Sequence, residues 1–431
     1  MRRSTAQLSF DLLDEAPASV AQATAGAFTS NLKLPVHRWF RYSAGFSADW
    51  AASVIAEHGG PAVRLLDPFL GSGTTLVEAQ RLGATGFGFE PHAFVARIAR
   101  AKLSWRHDPR GFQHACNELL ARARIRSAVN TGPLTAPLLV RCFSPDALDQ
   151  LSRLKSTFIA TEFADPQSAA QIALALTSIL RECSHAGTAQ WQYILPNKNK
   201  SRVAEPFDAF AKRSGEMYAD MIGVAARSAA SVLIHDARMK HPEVSEIDLV
   251  ITSPPYPNNY DYADATRFEM TFWGEVENWS DLHQTVRRNL ITSCSQHASA
   301  ERLVLEDLLG ARELGAIAEP LAAVCRELAE VRETKGGKKA YHTMLAAYFR
   351  DLAQVWIALR QQVREGGRVY FVIGDSAPYG VYAPVDEWLG ALALSAGFKQ
   401  WRFVKWRDRN TKWKNRKHQV PLKEGLLIVD G

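Results

Sequence analysis

The hydrophobic positions of this chain alternate between short apolar runs and longer stretches with helical periodicity. An apolar run over 63–67 predicts a buried strand, and the periodicity of residues 74–82 predicts a helix. A second pair follows directly, with a strand predicted over 85–90 and a helix over 91–103. Strands and helices that alternate in this way are typical of an α/β fold with a doubly wound sheet.

The same alternation returns in the second half of the chain. Apolar runs at 232–236 and 247–253 predict two further buried strands. The C-terminal region then repeats the pattern, with helices predicted at 344–363 and 384–396 and strands at 368–373, 401–406 and 425–429.

Two long stretches interrupt the α/β pattern. Residues 111–230 are mostly helical in periodicity, with a helix start at Ser144-Pro145, and are predicted to be a helical insertion. Residues 258–340 are mixed in charge and partly helical, and are predicted to be a second insertion. The α/β domain is then assembled from three segments, residues 31–110, 231–257 and 341–431.

The composition adds a weak preference for a polyanionic partner. The chain has 431 residues and a formal charge of +6, which suits nucleic acid without excluding other partners. Its five cysteines are scattered without a Cys-x-x-Cys pair, so we expect no metal site and a reducing, cytoplasmic location. Residues 1–30 lack the apolar core of a secretory signal and are predicted to be a flexible arm. No apolar run approaches the roughly 18 residues of a membrane span, so no membrane association is expected.

A glycine-rich turn follows the first predicted strand, in the segment Asp67-Pro68-Phe69-Leu70-Gly71-Ser72-Gly73-Thr74-Thr75. A strand end, a Gly-x-Gly turn and a helix N-terminus let the backbone approach a bound cofactor closely. Glu90 ends the next strand, where a carboxylate can accept both hydroxyls of a ribose. Leu76 stands where a dinucleotide-binding motif would have its third glycine, which disfavours a dinucleotide. The two features predict a nucleoside cofactor, with an ordinary tight turn as the alternative.

A proline-stiffened turn, Ser253-Pro254-Pro255-Tyr256, follows the apolar run that begins at Ile247. The prolines fix the backbone and supply no N–H, so carbonyl groups and the Ser253 hydroxyl are available as acceptors. Tyr256 provides an aromatic ring that can stack on a planar base. Two fixed acceptors on the N–H bonds of a base amine would favour its attack on a methyl donor. The alternative is a rigid turn that merely ends the strand.

Together, the two turns resemble those of the amino-methylating DNA methyltransferases, the cytosine-N4 and adenine-N6 enzymes of restriction–modification systems. The resemblance implies a Rossmann-like, seven-stranded methyltransferase sheet, here carrying two largely helical insertions, with S-adenosylmethionine as cofactor. It also implies double-stranded DNA with a flipped target base as substrate, and allows a cognate restriction endonuclease as partner. The Ser253 form of the second turn resembles the cytosine-N4 branch.

The resemblance also assigns roles to individual residues. The target base would be held by Ser253, by the carbonyl of Pro254 and by Tyr256, with Pro255 completing the turn. The cofactor would be held by His37, Asp67, Phe69, Gly71, Gly73, Thr74, Glu90 and Asp236. Of these, Glu90 would hold the ribose and Asp236 would bond the adenine amino group. His37 begins the segment 37–46, which resembles the family's N-terminal cofactor motif that caps the methionine carboxylate. As alternatives, Asp236 could be a helix N-cap and His37 a surface histidine.

A basic segment with interleaved tryptophans, residues 399–418, is a candidate for contact with DNA. Basic residues beside tryptophan suit phosphate contact and stacking. The predicted nucleic-acid surface comprises this segment and the loop at 335–339, through Arg402, Lys405, Arg407, Arg409, Lys412, Lys414, Lys338 and Lys339. The alternative is a solvated strand pair whose tryptophans pack on the sheet.

The predicted function is therefore site-specific methyl transfer from S-adenosylmethionine to an exocyclic amine of DNA, with cytosine N4 favoured. Three alternatives stay open: an adenine-N6 DNA methyltransferase, a guanine-N2 RNA methyltransferase, and an inactive DNA-binding subunit. Both insertions compete for the reading of the DNA sequence, and residues 258–340 are the candidate target-recognition region.

Overall fold

The fold is known from a computed structural model, which describes residues 28–42, 45–125, 134–189, 193–257, 261–300, 302–409 and 420–431. The predicted arm at 1–30 lies almost wholly outside these ranges, as do Lys412 and Lys414 of the basic segment. Within the described part of the chain, no helix combines the length and the apolarity that a bilayer crossing requires.

A seven-stranded sheet forms the centre of the molecule, and a separate two-stranded hairpin lies in the first insertion. The strands are β1 (Arg64–Asp67), β2 (Thr85–Phe89), β3 (Ala186–Thr188), β4 (Ile194–Asn199), β5 (Ala230–Leu233), β6 (Ile247–Thr252), β7 (Val363–Gly374), β8 (Gln400–Arg409) and β9 (Leu422–Asp430). The order across the large sheet is β5-β2-β1-β6-β7-β9-β8. Within this sheet, all strand pairings are parallel except those of β9, which runs antiparallel to β7 and β8.

The strand order reverses beside β1. From β1 the chain moves outward to β2 and then β5, and it returns with β6 on the opposite side of β1. In open α/β sheets, ligands bind at such a reversal, in the crevice outside the carboxyl ends of the strands. The fold therefore directs attention to the residues that follow β1, β2, β5 and β6.

Helices cover both faces of the sheet. They are α1 (Ala48–Glu57), α2 (Thr74–Leu82), α3 (Ala93–Leu103), α4 (Pro109–Arg124), α5 (Pro137–Val140), α6 (Pro145–Ile159), α7 (Pro166–Cys183), α8 (Pro206–Gly223), α9 (Tyr262–Trp273), α10 (Trp279–Thr285), α11 (Ser295–Ala300), α12 (Leu305–Leu309), α13 (Ala318–Thr334), α14 (Tyr341–Arg360) and α15 (Val385–Ser395). Successive strand residues point to opposite faces. Accordingly, Leu65 belongs to one hydrophobic cluster and Leu66 to another, on the two sides of the sheet.

The first insertion packs directly onto one face of the sheet. Phe112 of α4, Ile172 of α7 and Phe210 of α8 are buried in the same hydrophobic cluster as Leu65 of β1. The expectation of a largely helical insertion is correct for most of its length but missed the hairpin formed by β3 and β4. These strands are short, and β3 contains a glycine, so their local pattern was too weak to indicate a strand.

Two predicted boundaries were wrong in ways that matter for the site. The strand predicted at 232–236 ends at Leu233, so Asp236 lies in the loop beyond it. The helix predicted to reach Val363 ends at Arg360, and Val363 instead begins β7. The β-branched Val363 pairs with Ile247 of β6, and this pairing outweighs the helical pattern that precedes it.

Candidate active site

A cavity with an empty volume of about 820 Å³ opens at the reversal of strand order. Of the residues predicted from the sequence, seven line it, namely Phe69, Gly71, Thr74, Glu90, Asp236, Ser253 and Pro255. They follow four different strands, so the fold brings both predicted turns to one cavity.

The glycine turn after β1 has a backbone that only glycine adopts easily. Gly71 and Gly73 have φ of +53° and +92°. A Cβ on Gly71 would lie 2.9 Å from Cε1 of Tyr42, so the missing side chain lets Tyr42 pack against the turn. A Cβ on Gly73 would face Ala99 of α3 at 3.4 Å. Gly71 thus lines the cavity, whereas Gly73 permits close packing of the helices behind it.

Glu90 connects the turn to the end of β2. Its carboxylate accepts hydrogen bonds from the backbone N–H groups of Gly71 and His92, each at 2.9 Å. Burial raises the pKa of Glu90 to about 7, although these two bonds act in the opposite direction. A carboxylate has about four acceptor positions, so two backbone bonds leave acceptor capacity toward the cavity. This is the position that the sequence assigns to ribose binding.

Asp67 lies beneath the turn and joins three elements. Its carboxylate accepts hydrogen bonds from Thr252 Oγ1 at 2.5 Å, Thr75 Oγ1 at 2.6 Å and the backbone N–H of Phe69 at 3.1 Å. It is 1 % exposed and does not belong to the cavity lining, and burial raises its pKa to about 6. Because Thr252 ends β6, this carboxylate fixes the glycine turn relative to the proline turn.

The proline turn begins directly after β6. Ser253 and Pro255 line the cavity, while Pro254 is buried. The Ser253 hydroxyl donates a hydrogen bond to the carbonyl of Val372 on β7 at 3.2 Å. That contact sets the orientation of the hydroxyl oxygen, whose lone pairs are available as acceptors.

Tyr256 is half-buried outside the cavity lining. Its ring lies against Gly374 of β7, where a Cβ would approach Tyr256 Cε2 to 3.1 Å, and the guanidinium of Arg409 lies over it. Burial raises the pKa of the Tyr256 hydroxyl above its usual range, so the hydroxyl is neutral at ordinary pH.

Asp236 lines the cavity from the loop after β5. Arg238 holds its carboxylate through Nε at 3.0 Å from both oxygens and through Nη2 at 2.6 Å from Oδ2. The same guanidinium lies 3.4 Å from the buried Asp351 of α14. Asp236 is therefore held at the cavity edge by an arginine that is anchored on the opposite side.

His37 lies away from the cavity. It is 4 % exposed, its Nε2 is 2.8 Å from Glu78 Oε1, and burial is the main cause of its lowered pKa. His37 is thus a buried histidine of the short 3-10 helix His37–Trp39, paired with Glu78 of α2. Tyr42, Gly45 and Phe46, a few residues further along, line the cavity instead.

Several cavity residues were not predicted from the sequence. His92 and Tyr262 are among them, as is the stretch 289–291 in the second insertion. His92 is buried, its Nε2 is 2.8 Å from Thr266 Oγ1, and burial lowers its pKa to about 3, so the ring is neutral. His92 could have been found from its place after Glu90, but residues 289–291 carry no local signal.

The basic strand β8 has an exposed and an inward side. Trp401 packs against Gly390 of α15, and Trp406 makes an edge contact with Trp50 at 5.3 Å between ring centroids. Some of the cations on β8 form ion pairs. Arg407, for example, lies 2.7 Å from the carboxylate of Glu424. The other described cations of the predicted DNA surface are all at least partly exposed, namely Arg402, Lys405, Arg409, Lys338 and Lys339.

Comparison with known proteins gives relatives along almost the full length of the chain. The type II methyltransferase M.BsoBI of Geobacillus stearothermophilus is 25% identical over 93% of this chain and 87% of its own. The type II methyltransferase M.AvaI, from Nostoc sp. and from Anabaena variabilis, is 23% identical over 86% of this chain and 81% of its own. The chain is a homologue of type II methyltransferases. No protein-family model and no solved structure matches it.

The similarity confirms the predicted resemblance to the DNA methyltransferases of restriction–modification systems. The predicted fold class is also confirmed, since the chain has the seven-stranded, mostly parallel sheet expected of a Rossmann-like methyltransferase fold. Within the described residues of the chain, no group of three or more His, Cys, Asp or Glu side chains is arranged to hold a metal ion.

Proposed function

We propose that this methyltransferase transfers a methyl group from S-adenosylmethionine to the N4 amine of cytosine in double-stranded DNA. One observation carries the proposal: Ser253 of the proline turn lines the same cavity as Gly71 of the glycine turn and Glu90, which accepts a hydrogen bond from Gly71. A methyl donor and a base amine must meet within one enclosed site, and these two turns meet at one cavity.

The cavity residues fit S-adenosylmethionine. Gly71 presents its backbone to the cavity, where the methionine part would lie, and Glu90 retains acceptors for ribose hydroxyls. Asp236 offers a carboxylate edge to the adenine amino group, with Phe69 as an apolar wall. When bound, the cofactor supplies an electrophilic methyl group on a sulfonium. His37 and Asp67 would act indirectly, because neither lines the cavity.

The protein's own part in the reaction is to hold the base. A base amine is a poor nucleophile because its lone pair is delocalised into the ring. Acceptors at Ser253 Oγ and at the Pro254 carbonyl would hold its N–H bonds and turn the nitrogen lone pair toward the donor. Tyr256 would stack on the flipped base. A strong general base is unnecessary, since the nitrogen loses its proton only after it has gained the methyl group.

The preference for cytosine rests on Ser253, whose form of the turn resembles that of the cytosine-N4 branch. A cognate restriction endonuclease belongs to the same proposal, because the named relatives are type II methyltransferases. Recognition of the DNA sequence is assigned to the second insertion, residues 258–340, which reaches the cavity through residues 289–291.

The test is transfer of a labelled methyl group to duplex DNA, followed by mass spectrometry of the product nucleosides. N4-methylcytosine is the expected product, and N6-methyladenine would overturn the choice of base. Ser253→Ala should lower the rate by about 10²-fold, in the range measured for removal of one fixed polar group in an active site. The control is Ser201→Ala, an exposed serine remote in sequence from both turns. Undiminished transfer by both Ser253→Ala and Tyr256→Ala would overturn the assigned roles.

A further inference from the structure

A second cavity, with an empty volume of about 840 Å³, is lined mostly by cationic and polar side chains. Its lining consists of Arg238, His283, Gln284, Arg288, Thr292, His297, Leu303 and Arg350. Among the described residues, no carboxylate belongs to this lining. The surface is thus suited to an anion rather than to an apolar ligand or a cation.

The two cavities share a wall. Asn289, Leu290 and Ile291 line the first cavity, while Arg288 and Thr292 on either side of them line the second. The loop after β5 contributes in the same way, with Asp236 in the first lining and Arg238 in the second. A ligand in the second cavity would therefore lie next to the methyl-transfer site without occupying it.

The arginines of the second cavity are held in place from below. Asp351, which is completely buried, lies 3.4 Å from Arg238 and 3.2 Å from Arg350, and it accepts the backbone N–H of Thr292 at 3.0 Å. The Nε of Arg350 is buried and has no hydrogen-bond partner among the described residues. Arg288 is exposed at the rim. Fixed guanidinium groups match the planar, multiple acceptors of a phosphate.

We propose that this cavity binds a phosphate group, and that the phosphate belongs to the backbone of the DNA substrate. The source of the phosphate rests on the proposed function, whereas the anion site does not. Arg238 follows β5 at one edge of the sheet, and β8 with Arg407 and Arg409 is the opposite edge. Since β8 runs parallel to β7, Arg409 lies at the carboxyl ends of the strands, as does Ser253 between the two edges. A duplex laid along these ends would meet cations on both sides of the base-holding turn.

The experiment measures duplex DNA binding by the full chain at several salt concentrations. Each lost phosphate contact should reduce the slope of log K against log salt by about 0.9. Arg288→Gln and Arg350→Gln are each expected to show this reduction. The matched control Arg326→Gln removes an equal charge from an exposed arginine outside both cavities and should keep the wild-type slope. Because Arg288 is exposed, its replacement leaves folding intact.

A second arm uses inorganic phosphate alone and measures the unfolding temperature. Phosphate should stabilise the wild type more than Arg288→Gln or Arg350→Gln. If the variants lose this stabilisation but keep the wild-type salt dependence of DNA binding, the anion site stands, and its ligand is a free phosphate instead of the DNA backbone. Unchanged DNA slopes together with unchanged phosphate stabilisation in both variants would overturn the site. Methyl transfer by the wild type is assayed separately, so failure of the proposed function would be recognised independently.

Discussion

The guanidinium of Arg409 lies over the ring of Tyr256, with Cζ 5.2 Å from the ring centroid. Its Nη1 donates to the backbone carbonyl of Asp375 at 2.9 Å, and its Nε lies 3.7 Å from Glu424. A Cβ on Gly374 would be 2.6 Å from Arg409 Nη1, so a side chain at this position would displace the guanidinium. Arg409 of the basic strand β8 thereby fixes the aromatic ring of Tyr256 in the proline turn.

We therefore predict that Arg409 affects turnover as well as DNA binding. Arg409→Met should lower kcat about fivefold, because a partly buried cation–π contact contributes about 1 kcal/mol and fixes the ring. Arg402→Gln on the same strand removes a charge that does not lie over Tyr256, and it should change mainly KM for DNA. Steady-state kinetics separates the two effects. If both variants change KM alone, Arg409 acts only as a cation.

Substitutions at two glycines should distinguish an effect on cofactor binding from an effect on folding stability. Gly71→Ala and Gly83→Ala both place a side chain at positive φ, so each should lower the unfolding free energy by about 1–2 kcal/mol. A Cβ on Gly71 also meets Tyr42 at the cavity wall, whereas one on Gly83 makes ordinary contacts at 3.5 Å. Gly71→Ala alone should weaken S-adenosylmethionine binding at least about tenfold, or about 1.4 kcal/mol. Calorimetric titration and denaturant unfolding measure the two quantities, and equal cofactor affinities would contradict this assignment.

Glu90 predicts a pH dependence of folding. Its pKa is raised from 4.5 to about 7 in the folded protein, so the folded state binds more protons than the unfolded state between these values. Stability should therefore fall as pH rises from about 4.5 to 7, with a contribution of up to about 3 kcal/mol from this carboxyl. Asp67 acts in the same direction over a lower window. Glu90→Gln should flatten the profile between pH 5 and 7, and a slope equal to that of the wild type would exclude Glu90 as its source.

The bond between Thr252 and Asp67 predicts a stability effect that joins the two turns. Thr252→Val preserves the side-chain shape but removes one donor from a buried carboxylate, which should cost about 1–3 kcal/mol. Denaturant unfolding measures this loss. The control is Thr334→Val at the exposed end of α13, which should change stability by less than about 0.5 kcal/mol. Equal effects of the two substitutions would show that the hydrogen bond to Asp67 contributes little.

Local signals predicted the parts of the site that lie where a strand meets a turn. The glycine turn, Glu90 and the Ser253 turn each follow an apolar run directly, so the strand pattern fixed their place at one edge of the sheet. Residues 289–291 reach the cavity through packing between distant segments, which leaves no periodic signal, whereas Tyr42 lies in the segment 37–46 that only the family resemblance indicated. The inward orientation of Trp401 and Trp406 was likewise undecided, because it depends on which face of β8 meets α15 and α1.

The division of Leu65 and Leu66 between the two hydrophobic clusters has a consequence for the accuracy of assembly. A shift of β1 by a single residue against β2 and β6 would exchange the two leucines between the faces. It would also turn Asp67 away from Thr75 and Thr252. A misregistered sheet would thus lose packing on both faces and the link between the turns at once, so the alignment of the two turns is selected during folding rather than by the arrival of a ligand.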